Sequence, residues 1–190
     1  MTAGVLGDEE FEVVLGAAQD GKAWAFERLF HLVAQPLVGY FRAEGSPDPD
    51  GLANETLLRA FRSIVGFEGT VSGFRAWIFS IARCRLIDER RARARRPRCE
   101  SLGEGARGDR RLVGDAEADA LDRLGDEWVQ QILGSLAADQ RDVLVLRIVA
   151  DLSIEQVAAV LGKTPGAVKA LQHRGVAAIR RTFAAETVSL

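Results

Sequence analysis

Cysteine and histidine are scarce in this 190-residue chain: Cys84 and Cys99 stand apart with no Cys-x-x-Cys spacing, and His31 and His173 lie in distant segments. A zinc centre needs four convergent ligands and would have to recruit all of them, so no metal site is expected; a disulfide between the two cysteines stays an open alternative. No apolar run is long enough to cross a bilayer, and Met1 to Glu10 has neither the basic start nor the apolar core of a secretion signal. The expectation is a soluble, cytoplasmic protein without membrane insertion. Carboxylates are abundant, yet none forms a compact motif with a histidine, a glycine-rich phosphate loop or a metal spacing. An enzyme reading therefore lacks residues to name, and no cofactor is expected. Aromatics make up only 7% of the chain and strand-like alternation is rare, while 47% of residues are hydrophobic. That composition predicts an all-α architecture with one medium core or two small ones.

A net charge of -2 would disfavour a nucleic-acid partner if it were evenly spread. It is not. Arg83 to Arg98 holds eight arginines against Asp88 and Glu89, and Lys163 to Phe183 carries Lys163, Lys169, Arg174, Arg180 and Arg181 with no carboxylate. Glu100 to Glu127, between them, is acidic. Local potential governs the encounter with phosphate, so two basic regions flanking an acidic one keep a nucleic-acid partner in play.

Leu152 to Arg181 reads as two helices joined by a tight turn. Ser153 and Gln156 form a capping box, Leu152 can staple onto Val157, and Gly162 supplies the turn. Thr164 is a good N-cap and Pro165 a good first helical residue. Val157, Val160 and Leu161 are expected to face Val168, Leu171 and Ile179, leaving Lys163, Lys169, Gln172, His173 and Arg174 outside. In a helix-turn-helix the second helix enters the major groove, so Pro165, Gly166, Lys169, Gln172 and His173 are candidates for base edges. Lys163, Lys169, Arg174, Arg180 and Arg181 are candidates for phosphates, and Thr164 joins the site as the cap.

Earlier segments are read the same way. Residues 1–20 are expected to be a loose tail with a helical turn around Phe11 to Ala18. Ala23 to Tyr40 places Trp24, Phe26, Leu29, Phe30, Val33, Leu37 and Tyr40 on an apolar helical stripe, read as core. Two prolines within Gly45 to Pro49 break that helix, and Asp50 is expected to cap the next, whose polar face includes Leu52, Glu55, Thr56, Arg59, Ala60 and Ser63. Gly66 to Gly73 reads as a glycine-rich loop carrying Phe67, followed by a helix from near Phe74 with Trp77, Ile78, Ile81, Ala82 and Leu86 on its buried side. The arginine tract at the end of that helix is expected to track phosphates while the loop meets bases. Residues 97–120 read as a linker, and the apolar period returns from Leu121 with Trp128, Ile132 and Leu136.

Three ordered segments, DPDGLANETLLRAF, GFRAWIFSIARCRLIDERRARARR and AADQRDVLVLRIVADLSIEQVAAVLGKTPGAVKALQHR, together resemble an extracytoplasmic-function (ECF) sigma factor of the sigma-70 family. The resemblance spans about Ala23 to Phe183. It implies a sigma region 2-like bundle over residues 21–96 and a region 4-like helix-turn-helix domain over 121–184, joined by the linker, with a tail at 185–190. Core RNA polymerase would be bound by its largest-subunit clamp helices, through Asp50, Asn54, Glu55, Leu58, Arg59 and Arg62, and by its flap. Promoter DNA would meet Phe67, Glu68, Gly69, Thr70, Ser72, Arg75, Arg83, Cys84 and Arg85 at the -10 element, where an aromatic flanked by glycines suits a flipped base. Region 4 would place Lys163, Thr164, Pro165, Gly166, Lys169, Gln172, His173, Arg174, Arg180 and Arg181 at the -35 element. An anti-sigma factor covering both domains is implied as a further partner.

The chain departs from the family pattern in three places. Cys84 stands where an asparagine is common, the loop is one residue longer through Val71 or Gly73, and Leu171 and Gln172 replace an arginine followed by a leucine. Leu171 is therefore expected to be buried and Gln172 to face out. The alternative is a stand-alone helix-turn-helix repressor or activator, but the N-terminal half offers a charged helix rather than a ligand pocket. A DNA-processing enzyme has the basic surface and lacks the acid or metal cluster.

Overall fold

The computed structural model describes residues 6–95 and 128–188, with side chains as far as residue 184. The expected linker, with Cys99, Arg96 and Arg98, lies outside the described residues. Every regular element among the described residues is a helix. The first half comprises α1 (Asp8–Gln19), α2 (Ala23–Ala43), α3 (Pro49–Arg62), a single 3-10 turn (Ile64–Gly66) and α4 (Val71–Arg95). The second comprises α5 (residues 128–134), α6 (Ala138–Ile148), α7 (Ile154–Leu161) and α8 (Pro165–Val188).

Asp8–Gln19 form a full helix rather than a single turn in a loose tail. Phe11, Val14, Leu15 and Ala18 recur at helical spacing and are buried, and Phe11 lies 5.5 Å from Phe74, ring to ring. Burial of these apolar side chains, at roughly 1.5–3 kcal/mol for each large one, offsets the ordering of one short helix. Asp8, Glu9 and Glu10 in its first turn also suit the helix dipole.

In α2 the buried side is Ala25, Leu29, Leu32, Val33, Leu37, Tyr40 and Phe41, whereas Trp24 and Phe30, expected in the core, are exposed. Leu29, Val33, Leu37 and Tyr40 are buried as expected, so the buried stripe keeps its line and loses only Trp24 and Phe30 to solvent. Tyr40 packs edge-on against Phe41 and Phe79. The cap of α3 is Asp48, not Asp50: its carboxylate accepts from the Gly51 N–H at 2.9 Å. Pro49 has no N–H to donate and is suited to the first helical position, which puts the cap at Asp48, two residues before Asp50. Leu52, Thr56 and Ala60, read as part of the polar face, are buried with Ala53 and Leu57; Leu58 and Val65 point outward instead. Thr56 is tolerated there because its hydroxyl donates to the Leu52 carbonyl at 2.7 Å.

Helix α4 begins at Val71, earlier than Phe74, because Thr70 Oγ1 accepts from the Gly73 N–H at 3.2 Å and caps it. Ser72 and Gly73 therefore belong to the first helical turn, and the loop proper is Phe67 to Thr70.

The second half follows the expected pattern closely. Ser153 and Gln156 complete the capping box, Leu152 and Val157 are fully buried, and Gly162 adopts a left-handed φ of 64° that a side chain would strain. Thr164 Oγ1 accepts from the Ala167 N–H at 3.2 Å, with Pro165 opening α8. Helix α8 runs on to Val188, past the expected limit at residue 184. It approaches α6 closely at Gly175, where an added Cβ would lie 2.8 Å from Leu144 Cδ1. Trp128 is partly exposed and leans on Phe183, while Ile132 and Leu136 are buried as expected.

The halves also pack on each other, α4 against α7 and α2 against α6. Polar bonds join them: Arg83 to Asp142 at 2.7 Å, the Gln156 amide to Ser72 Oγ at 2.7 Å, and Gln130 Nε2 to the Arg42 carbonyl at 2.5 Å.

Candidate nucleic-acid interface

On α8 the inward row is Val168, Leu171, Gly175 and Ile179, the period of a helix lying on a core. Gly166, Lys169, His173 and Arg174 consequently project to solvent, joined by Thr164 and Pro165 at the helix start and by Arg180 and Arg181 further along. Leu171 is buried, as its place in the row requires. Gln172 is a correction: it is half-buried, and its Oε1 is enclosed without a hydrogen-bond partner among the described residues. Lys163 is also less available than expected, because its Nζ lies 2.9 Å from Asp139 Oδ2.

The outward face of α3 collects all six candidate polymerase contacts. Asp50, Asn54, Glu55, Leu58, Arg59 and Arg62 are exposed at helical spacing, with Leu58 an isolated apolar side chain, 57% exposed, among polar ones. Arg85 ion-pairs with Glu55 and so joins this surface rather than the loop.

The loop candidates are placed unevenly. Phe67 is half-buried, its ring 5.5 Å from Phe74 and 5.1 Å from Trp77, so an aromatic cluster anchors it. Glu68, Gly69 and Thr70 are exposed, and Cys84 is an exposed free thiol one helix face away. Ser72 accepts from Gln156 at both its hydroxyl and its carbonyl, and Arg75 Nη1 lies 3.6 Å from Asp151 Oδ2, so both sit beneath the helix-turn-helix. Arg83 belongs to a polar cluster where α2, α4 and α6 meet. Burial works against its charge, but the hydrogen bond and charge of Asp142 outweigh it and hold its pKa above the ordinary value. In the same cluster Glu44 is buried, with Arg90 at 2.7 Å and Arg141 at 3.5 Å. Burial and then the nearby Asp142 push its carboxyl up, against the pull of both arginines.

Sequence reasoning did not find Gln19, Glu44, Asp142, Asp151 or the second role of Gln156. The capping box flagged Gln156 by its Oε1, which accepts from the Ser153 N–H at 2.8 Å; its Nε2 remains to reach Ser72. The other four act across long sequence separations, where periodicity carries no signal.

Among the described residues no group of His, Cys, Asp and Glu is placed to hold a metal ion, and no helix is long and apolar enough to cross a membrane. What the surface offers is a helix N-terminus with outward cations and a second, polar helix face with a protruding leucine. These suit binding, to a nucleic acid on one side and to a protein on the other.

Comparison with known proteins agrees. Residues 26–96 match the Sigma-70 region 2 family and residues 126–179 match Sigma-70, region 4. The chain is 31% identical over 177 residues to the ECF RNA polymerase sigma factor SigD of Mycobacterium tuberculosis, spanning 88% of this chain and 81% of the relative. It is 31% identical over 166 residues to BldN of Streptomyces coelicolor, another ECF sigma factor, spanning 86% of this chain and 62% of that relative's length. In fold it is similar to CnrH, solved with the cytosolic domain of CnrY, with a TM-score of 0.64 at 24% identity, covering 91% of this chain and 96% of the other. It is also similar to RpoE of Bartonella quintana, solved with the anti-sigma factor NepR, with a TM-score of 0.53 at 21% identity, covering 91% and 93%. The fold and its surfaces define a sigma factor of the sigma-70 class. The chain belongs to its ECF family, the alternative sigma factors that direct transcription initiation by RNA polymerase.

Proposed function

We propose that this chain docks on core RNA polymerase through the outward face of α3, reads and opens the -10 element with the loop from Phe67 to Thr70, and sets α8 into the -35 element. It acts by binding rather than by chemistry, in the cytoplasm where the polymerase works. The observation that carries the docking assignment is Leu58, an exposed leucine ringed by Asn54, Glu55, Arg59 and Arg62. An apolar centre with a polar rim is the pattern of an interface hot spot, and truncation there typically costs 2 kcal/mol or more, about thirtyfold in affinity. Leu58→Asp is therefore expected to weaken binding to core polymerase by at least about thirtyfold, read by fluorescence anisotropy, and to abolish promoter-specific run-off. Undiminished core binding by this variant would remove α3 as the dock. Tight operator binding by the chain alone, with no affinity for core, would favour the stand-alone regulator.

The packed arrangement of the halves supports an anti-sigma partner. Elements named -35 and -10 lie about 25 base pairs apart, or about 85 Å along B-DNA at 3.4 Å per base pair. Here Gln156 of α7 is hydrogen-bonded to Ser72 at the base of the loop. The halves must part for both elements to be read at once, and a protein that clasps them together would keep the factor silent.

A further inference from the structure

We infer that Gln19, with Asp8, is a positioning residue for promoter opening: α1 acts as a brace that sets the conformation of the loop from Phe67 to Thr70. The inference rests on the reading of that loop as the -10 contact and adds the residues that hold it in shape.

Helix α1 lies outside the matched region 2 segment, which begins at residue 26. Its two ends nonetheless grip the two ends of the loop. At the C-terminal end, Gln19 Nε2 donates to the Phe67 carbonyl at 2.9 Å and to the Ile64 carbonyl at 3.1 Å. At the N-terminal end, Asp8 Oδ1 accepts from the Val71 N–H at 3.3 Å. In between, Phe11 of α1 packs on Phe74, which in turn meets Phe67 and Trp77.

The chemistry of Gln19 suits this task. A primary amide carries two donors on one nitrogen, and here one nitrogen serves two carbonyls of the turn that launches the loop. Glu68 and Gly69, in contrast, make no backbone hydrogen bond among the described residues, and Gly69 adopts a φ of 148°. The middle of the loop is thus free to meet a base while its ends are fixed, and a base flipped from the stack is captured best by a receptor already in shape.

The test uses holoenzyme reconstituted with Gln19→Glu, which keeps the shape and turns acceptors toward the two carbonyls, and with Gln19→Leu, which removes the donors. Opening is read by 2-aminopurine fluorescence in the -10 element, alongside discrimination among substituted -10 bases, core affinity and -35 duplex binding. Gln19→Glu is expected to slow opening about tenfold or more and to flatten base discrimination, with Gln19→Leu close behind and both binding affinities unchanged. Because Gln19 is part-buried, exposed Asp8 provides a second arm. Asp8→Ala is expected to slow opening two- to threefold, and Asp8→Asn, which retains an acceptor oxygen, to restore it. Wild-type opening and discrimination in the Gln19 variants would overturn the inference. So would a loss spread equally over core binding, duplex binding and opening, which is the mark of a merely structural role. Phe67→Ala in parallel separates the premises: if it too opens normally, the reading of the loop itself fails.

Discussion

Arg83, Arg85, Arg90 and Arg93 of α4 each meet a carboxylate, namely Asp142, Glu55, Glu44 and Glu89. Lys169, Arg174, Arg180 and Arg181 of α8 make no ion pair with a described residue, though α8 carries the smaller cluster. A cation already paired within the fold presents little net field, and a phosphate can claim it only by displacing its partner. A hydrated, unpaired cation releases a counterion from DNA at no such cost. The helix with more arginines is therefore the weaker phosphate surface in this arrangement, and its charge serves largely to join α4 to α2, α3 and α6.

The largest effect that this contrast implies is on α8. The pair Lys169→Glu and Arg174→Glu is expected to lower holoenzyme binding to a promoter with its -35 element by well over a hundredfold, since each contact contributes about 1–3 kcal/mol before reversal adds repulsion. Lys169→Ala alone should also make the dependence of log affinity on log salt shallower by about one, if it meets a phosphate. Arg93→Ala on α4 should leave that slope unchanged. Equal slope changes for the two alanine variants, measured by filter binding across a salt series, would erase the distinction between the helices.

A smaller effect belongs to the junction. Asp142→Ala strands Arg83, which is about three-quarters buried, and is expected to cost about 1.5–3 kcal/mol, the range for a hydrogen bond to a charged group. It should appear as a lower urea midpoint and faster amide exchange in α6. The distinction between paired and unpaired cations loses its support if stability is unchanged, because Arg83 would then have no need of its partner.

The same contrast explains what the sequence made legible. The helix-turn-helix could be read almost residue by residue because its determinants are local: the Ser153 and Gln156 box, the left-handed Gly162 and Pro165 after Thr164. The six outward residues of α3 were legible through the family resemblance rather than through periodicity, which places the buried Leu52, Thr56 and Ala60 on the polar face. Counting arginines failed as a guide to surface charge, because Glu44, Glu55 and Asp142 reach α4 from other elements and leave no trace in its own composition. Helix α1 reads only as a turn around Phe11 to Ala18 for a related reason. Its short stripe of Phe11, Val14, Leu15 and Ala18 becomes convincing only when α2 and Phe74 are there to cover it.

The smallest effect concerns how well the paired cations are matched. Glu44 has a raised carboxyl pKa, through burial first and Asp142 second, despite Arg90 and Arg141 beside its Oε2; its Oε1 is buried without a hydrogen-bond partner among the described residues. The folded state therefore binds this proton more readily than the unfolded chain does, where a glutamate titrates near about 4.3. Stability from that preference is fully present below the unfolded value and is lost as pH rises through the higher folded one. Glu44→Gln cannot titrate, and other groups are shared between the two proteins, so the difference in their urea-derived stabilities isolates this site. That difference is expected to move against the native residue as pH rises from about 4 toward 7. A shift in the opposite direction would mean that Arg90 and Arg141 outweigh burial. Glu44 would then be a charged anchor that ties Arg90 of α4 to Arg141 of α6, rather than a carboxylate held under protest at the junction of the two halves.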